Sequence, residues 1–290
     1  MKPHFLSIFA AFLFVSVLSA QGIPESPETF RLWPDLAPGE KTSGETLNNA
    51  GAGGQLRIID VTVPVVKVFR PEKKQTDACV LILPGGGYMN LNQKYARFIP
   101  FFNSHGMTCA ILEYRVPRSP NQPIWLAPLQ DAQRAVRLLR SKAGELGINP
   151  EKIGTIGFSA GAHLSVIAAT NSQTNYYPSA DELDQIPCHL NFAIAVYPAY
   201  VLEDGATGQN AKRGIDEKIL SDFKFDAKTP PMCLLHGDAD VFSPLGSVAI
   251  YTELHRRNIP VELHIYTESG HGLGNQNWEE RIADWLKKKF

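Results

Sequence analysis

Charge of one sign, cysteine, internal repetition and long apolar runs are all scarce in this chain, and each scarcity removes a class of protein. The 290 residues hold 28 Lys+Arg against 29 Asp+Glu, a formal net charge of −1. That balance leaves no basic excess for nucleic acid or an anionic membrane. The one basic run, Lys287-Lys288-Lys289, closes a helical pattern and reads as a solvated helix end. Only four cysteines occur. Cys79, Cys109 and Cys233 lie in apolar strand-like runs, and Cys188 lies just before another. They read as buried free thiols; the alternative is one bridge in an oxidising compartment. No Cys/His spacing matches a metal site, and no cofactor is implied.

What remains is an ordinary globular composition, 44% hydrophobic and 20% charged. A chain of this length can be one α/β domain. Its start differs from the rest. Met1-Lys2 precedes an apolar run from Phe5 to Leu18, then Ser19-Ala20-Gln21-Gly22. The run is about 14 residues, short of the roughly 20 that span a bilayer. A basic start, a short apolar stretch and small residues spell a signal peptide over residues 1–20, cleaved after Ala20. Leu18 is large for such a site, and the alternative is an uncleaved anchor. Export to a secreted or periplasmic location is the expectation, with no integral membrane segment after removal.

Residues 21–55 are Pro/Gly-rich, lack a regular period and read as a loop-rich arm. From residue 56 to 290, strand-like and helical runs alternate. The strands read as Val61–Phe69, Ala78–Leu83, Thr108–Tyr114, Ile153–Phe158, Phe192–Tyr197, Met232–Leu235 and Val261–Tyr266. Most are apolar throughout, as strands covered on both faces must be. In the first, Val61, Val63 and Val65 alternate and Pro64 lacks a donor, which suits a sheet edge. Helices are expected over Tyr95–His105, Leu129–Leu146, Gly161–Thr170, Leu245–Arg257 and Trp278–Lys289. This order predicts one α/β domain with a doubly wound, mostly parallel sheet flanked by helices. Chemistry in such a sheet belongs beyond the carboxyl ends of the strands.

Four features meet there. Gly157-Phe158-Ser159-Ala160-Gly161 follows a strand and opens a helix, the pattern of a nucleophile elbow. The pentapeptide alone is cheap, since about one chain in ten of this length shows it by chance. Pro84-Gly85-Gly86-Gly87-Tyr88 ends another strand. Its glycines free the backbone to aim amides, so Gly86, Gly87 and Ala160 are the expected oxyanion donors. The alternative, a phosphate loop, lacks the Walker lysine. His236-Gly237-Asp238-Ala239-Asp240 runs a strand into an acidic loop. Asp240 is the expected acid, with Asp238 the runner-up and otherwise a turn residue. Gly270-His271-Gly272 places a histidine among glycines, in a loop and not a core, as a base requires. His163, His236, His255 and His264 read as packing or surface positions. Nucleophile, acid and base in the order Ser159, Asp240, His271 point to acyl transfer.

These residues carry a resemblance. The chain resembles the α/β-hydrolase superfamily, in the group of hormone-sensitive-lipase-like and acetyl-xylan-esterase-like secreted carbohydrate esterases. The matching residues are Pro84 to Tyr88, Glu113-Tyr114-Arg115, Asp131-Ala132 with Ala135-Val136, Gly157 to His163, His236-Gly237 with Asp240, and Gly270-His271-Gly272. Two departures stand out: Pro84 replaces a histidine frequent in the lipase-like members, and Ala162 replaces a frequent glycine. Both lean toward the carbohydrate esterases, as does the arm with Trp33-Pro34 and Pro38-Gly39-Glu40. The resemblance implies a serine carboxylesterase.

The segment before Met232 is polar, with Glu203-Asp204-Gly205 and Lys212-Arg213, and makes a short lid and not a lipase cover. Tyr88, Trp125 and Tyr200 fall in loops at the active end and are candidate platforms for sugar rings. The expected substrate is a small ester or an acylated saccharide, with acetyl groups on xylan or other plant saccharides foremost. The alternatives are a general short-chain or feruloyl esterase and, from another class, a catalytically silent hydrolase-fold binding protein.

Overall fold

Five consecutive apolar residues, Cys79–Leu83, can be buried only between two layers, and they form the central strand β5 of an eight-stranded sheet. The computed structural model describes residues 27–42, 44, 47–50, 56–203, 218–274 and 276–290. The leader expected over residues 1–20 lies outside them. The sheet contains β1 (Glu28–Arg31), β4 (Val65–Phe69), β7 (Thr108–Glu113), β5, β8 (Ile153–Phe158), β9 (Phe192–Val196), β10 (Met232–Gly237) and β11 (Val261–Tyr266), in that spatial order. All pairs from β7 to β11 are parallel; β1 with β4 and β4 with β7 are antiparallel. The mostly parallel sheet flanked by helices is therefore as expected.

Alternation along the strands divides the core into two layers. Cys79, Leu81 and Leu83 of β5 pack on one side with helices α2 (Leu126–Ser141), α4 (Ala160–Thr170) and α5 (Leu245–Arg256). Val80 and Ile82 pack on the other with α1 (Phe98–Ser104) and α6 (Trp278–Lys287). The chain runs from β5 to its neighbour β7, then crosses to β8 on the other side of β5. The loops after β5 and β8 thus leave in opposite directions and open a crevice, the switch point where such sheets bind ligands.

Three readings are corrected at the N-terminal side. The run Val61–Phe69 is not one strand. Val61 makes an isolated bridge to Val116, and β4 begins only after Pro64, whose missing donor ends the pairing. Nor is β4 the sheet edge. Glu28–Arg31, from the stretch read as loop, pairs outside it with Glu28 opposite Val68. A second small sheet joins β2 (Leu47–Ala50), β3 (Leu56–Asp60) and β6 (Leu91–Asn92). The helix read as Leu129–Leu146 is also divided: α2 stops at Ser141, and a short α3 (Ala143–Leu146) ends at Gly147, φ 65°.

The arm is tied down by buried polar groups. Trp33 Nε1 donates to Asp131 Oδ1 at 2.9 Å, and Arg115 Nε reaches both oxygens of Asp131 at 3.0 and 2.9 Å. Arg134, Arg137 and Arg140 recur every third residue of α2 and are all buried. Each satisfies backbone oxygens that no strand takes up: Leu32 O for Arg134, Ile186 O for Arg137, and Pro150 O and His189 O for Arg140. Arg134 Nη1 also pairs with Asp184 at 2.8 Å. The four cysteines are free and buried, and burial pushes the Cys79 thiol up to about 12.

Candidate active site

At the end of β8, Ser159 takes φ 56° and ψ −119°, a conformation that L residues rarely adopt. The flanking glycines make the turn possible. A Cβ on Gly157 would lie 2.0 Å from Gly161 O, and one on Gly161 would lie 2.1 Å from Leu83 O. Strand β8, helix α4 and the end of β5 are that close. The turn is locked by the Ser159 carbonyl, which accepts from the amides of Ala162 and His163, both at 3.0 Å. The side chain stands at the crevice, 8% exposed.

Two loops reach Ser159 at the same carboxyl end of the strands, from the β10–β11 side of the sheet. The loop after β11 brings His271 Nε2 to 2.8 Å from Ser159 Oγ. The loop after β10 brings Asp240, fully buried in its side chain, to His271 Nδ1 at 3.0 Å from Oδ1 and 2.9 Å from Oδ2. A carboxylate only accepts, so Nδ1 carries the proton and Nε2 is bare toward the serine hydroxyl. Burial raises the Asp240 carboxyl, but hydrogen bonds from His236, His271 and the Phe242 amide outweigh it and hold the group down at about 2. Gly237 allows the two loops to meet, since a Cβ there would lie 2.0 Å from Ser269 O. Asp238, two residues earlier, is exposed; its Oδ1 accepts from the Ser269 amide at 3.4 Å. Its place is in the turn.

The glycine loop after β5 lies against the serine. A Cβ on Gly85 would be 3.2 Å from Ser159 Cβ. Gly86 has φ 148° and Gly87 φ 65°, and a Cβ on Gly86 would overlap Asn90 O at 1.8 Å. The loop is closed by Met89 and Asn90 amides donating to Gly86 O at 3.0 and 3.2 Å. The amides of Gly86, Gly87 and Ala160 donate to no acceptor among the described residues. They are unspent donors beside a serine, one of them on the first residue of α4. Such an array can raise a hydroxyl to a nucleophile and hold the oxyanion that follows.

The aromatic platforms are corrected. Tyr88 is 0% exposed, and its hydroxyl is bonded to His163 Nδ1 at 2.8 Å, so it faces the core and not a ligand. Trp125 is 8% exposed, with Nε1 donating to Asp222 at 3.1 Å and its ring edge-on to Tyr176. Tyr200 remains at the site: half-buried, stacked on Tyr88 and edge-on to Phe242. Phe242 and Tyr197, which no pattern in the sequence marks, pack around His271 at 5.2 and 4.7 Å between ring centroids. Most of the stretch read as a lid, residues 204–217, lies outside the described residues. Among those described, no group of three or more His, Cys, Asp or Glu is placed to hold a metal ion, and no helix is long and apolar enough to cross a membrane.

Known proteins share this framework. A crystal structure of an acetyl ester-xyloside bifunctional hydrolase from Caldicellulosiruptor lactoaceticus matches with a TM-score of 0.70, covering 91% of this chain and 96% of that one at 24% identity. MGS-M1, an α/β hydrolase enzyme from a Medee basin deep-sea metagenome library, matches with a TM-score of 0.59 at 25% identity, covering 84% and 97%. The fold is thus the α/β-hydrolase fold. An acetylxylan esterase of Xylanibacter ruminicola is 26% identical over 242 residues, 76% of this chain. The chain spans about half of that protein's length, 47%. The BD-FAE family model matches residues 66–222, more than half of the chain and the part that carries both the glycine loop and the nucleophile turn, and the chain belongs to the BD-FAE family.

Proposed function

We propose that this protein is a serine carboxylesterase acting through Ser159, His271 and Asp240. One observation carries the reading: an unbroken hydrogen-bond chain from a buried carboxylate through an imidazole to a serine at a strained turn. Ser159 Oγ attacks the ester carbonyl carbon while its proton passes to His271 Nε2. Asp240 holds the ring and stabilises the imidazolium. The oxyanion is held by the amides of Gly86, Gly87 and Ala160, each worth on the order of 10²–10³ in turnover. His271 returns the proton to the departing alcohol, leaving an acyl-serine. Water, deprotonated by the same ring, then releases the acid and restores the serine.

The ester we propose is an acetyl group on xylan or a related plant saccharide. The name of the Xylanibacter ruminicola relative and that of the Caldicellulosiruptor lactoaceticus hydrolase both point to acetyl esters. Phe242 packs beside His271 and Tyr200 stands edge-on to Phe242, and the 203–213 stretch is polar in sequence. Export by the 1–20 leader fits a polymer met outside the cell.

The deciding experiment compares acetate release from acetylated xylan with ferulate release from feruloylated arabinoxylan. Acetate release is expected to dominate, and rates on p-nitrophenyl esters to fall from acetyl to octanoyl. Dominant ferulate release would replace the acetyl assignment, and a rise toward octanoyl would contradict a short-acyl site.

A further inference from the structure

Asp240 has a second histidine that the acyl-transfer chemistry leaves unused. His236, four residues earlier at the end of β10, is 0% exposed. Its Nε2 lies 3.2 Å from Phe242 O and 3.5 Å from Asp240 Oδ2. Both neighbours are pure acceptors, so Nε2 must carry a proton. On the opposite edge, Nδ1 lies 2.8 Å from Ser247 Oγ, a fully buried hydroxyl in the first turn of α5. A hydroxyl can donate or accept, so it complements the ring in the Nε2–H form. Phe242 completes the arrangement by donating its amide to Asp240 Oδ1 at 2.9 Å. Helix α5, through Ser247 and His236, thereby holds the acid loop at the Phe242 carbonyl and sets the same N–H 3.5 Å from the Asp240 carboxylate.

We propose that His236 is a positioning residue for Asp240. Held in its Nε2–H form, it keeps the buried carboxylate ionised and turned toward His271. The inference rests on the reading of Asp240 as the acid of the array, and goes beyond it by assigning a function to a residue outside the three. The other groups facing Asp240 are His271 from the loop after β11 and Tyr197 from the end of β9. Burial holds the Tyr197 phenol far above its ordinary value, so it stays neutral. Asp238 is turned away to the Ser269 amide. Removing the His236 donor therefore leaves Asp240 with fewer groups favouring its charged form, and it takes up a proton at higher pH.

Asparagine and glutamine separate the two edges of the ring. His236→Asn keeps a polar atom near Nδ1 and loses the donor at Nε2; His236→Gln does the reverse. For hydrolysis of p-nitrophenyl acetate, His236→Asn is expected to lower kcat by on the order of 10- to 100-fold, the worth of a hydrogen bond to a charged group. KM stays unchanged, and the loss of thermal stability between about pH 4 and pH 2 becomes shallower, because the folded-state carboxyl of Asp240 moves back toward its ordinary value. His236→Gln recovers most of the loss. Equal impairment of the two variants with an unchanged pH dependence of thermal stability, or parental kinetics in His236→Asn, would overturn the proposal. An arm independent of turnover and of variant folding is 15N NMR of the unaltered protein. The Nε2–H form of His236 is expected, and an Nδ1–H ring with a bare Nε2 would overturn the inference whether or not the protein is an esterase.

Discussion

Asparagine in place of Asp240 lowers kcat on p-nitrophenyl acetate by about 10⁴-fold, while the same change at Asp238 leaves kcat within about two-fold. The asymmetry follows from geometry. Both Asp240 oxygens lie within 3.0 Å of His271 Nδ1 and the Asp240 side chain is buried, whereas Asp238 is exposed and its side chain meets only a backbone amide. An amide at 240 can offer its NH₂ to the ring, which favours the Nε2–H tautomer and removes the base facing Ser159. KM changes little, because neither residue touches the substrate. There is also a stability signature. The Asp240 carboxyl sits at about 2, below its ordinary 3.8. A depressed carboxyl contributes stability that is complete above its unfolded value and is lost as pH falls through the folded one. Asp240→Asn therefore removes part of the acid sensitivity between about pH 4 and pH 2, read from thermal unfolding across that window. A large loss at 238 and a small one at 240 would exchange the two assignments.

Alanine at Gly157 or Gly161 prevents stable folding or lowers the melting temperature by about 10 °C or more. The added methyl meets backbone, not a mobile side chain: Gly161 O at 2.0 Å in the first case, Leu83 O at 2.1 Å in the second. Neither can retreat, because Gly161 belongs to α4 and Leu83 ends a strand paired on both sides. Overpacking of a rigid site costs about 3 kcal/mol or more, and each kcal/mol moves a protein of this size by about 2–4 °C. Gly144 is the control. It lies in α3 with nothing within 4 Å of an added Cβ, so alanine there is neutral or raises the melting temperature through helix propensity. Differential scanning calorimetry of the three variants checks the pattern, and a Gly161→Ala protein as stable as the parent would contradict the closeness of the elbow.

The central strands were legible because burial on both faces writes a continuous apolar run, as in Cys79–Leu83 and Ile153–Phe158. The edge was not. Glu28–Arg31 is four residues of ordinary polarity, and only its pairing with β4 makes it a strand. The same holds for Arg134, Arg137 and Arg140, which a helix pattern places in solvent and the fold buries under backbone oxygens. Glycine context singled out Ser159, Gly86, Gly87 and His271, since each needs a backbone that other residues resist. The choice between Asp238 and Asp240 depended on which side of a turn faces inward, which spacing does not encode. Tyr88 and Trp125 show the limit for aromatics: loop position suggested contact with ligand, but their hydrogen bonds to His163 and Asp222 belong to packing. His236 reads as a packing position for the converse reason. A histidine ending a buried strand looks like core until Asp240, Phe242 and Ser247 are seen around it.

The most direct test is covalent. Treated with a small organophosphate, the protein should gain one adduct per chain, on the peptide containing Ser159, with activity lost in proportion. Ser159→Ala should take up none and hydrolyse no ester above background. An adduct on another residue, or a Ser159→Ala protein that retains activity, would contradict an acyl-transfer site built on this serine.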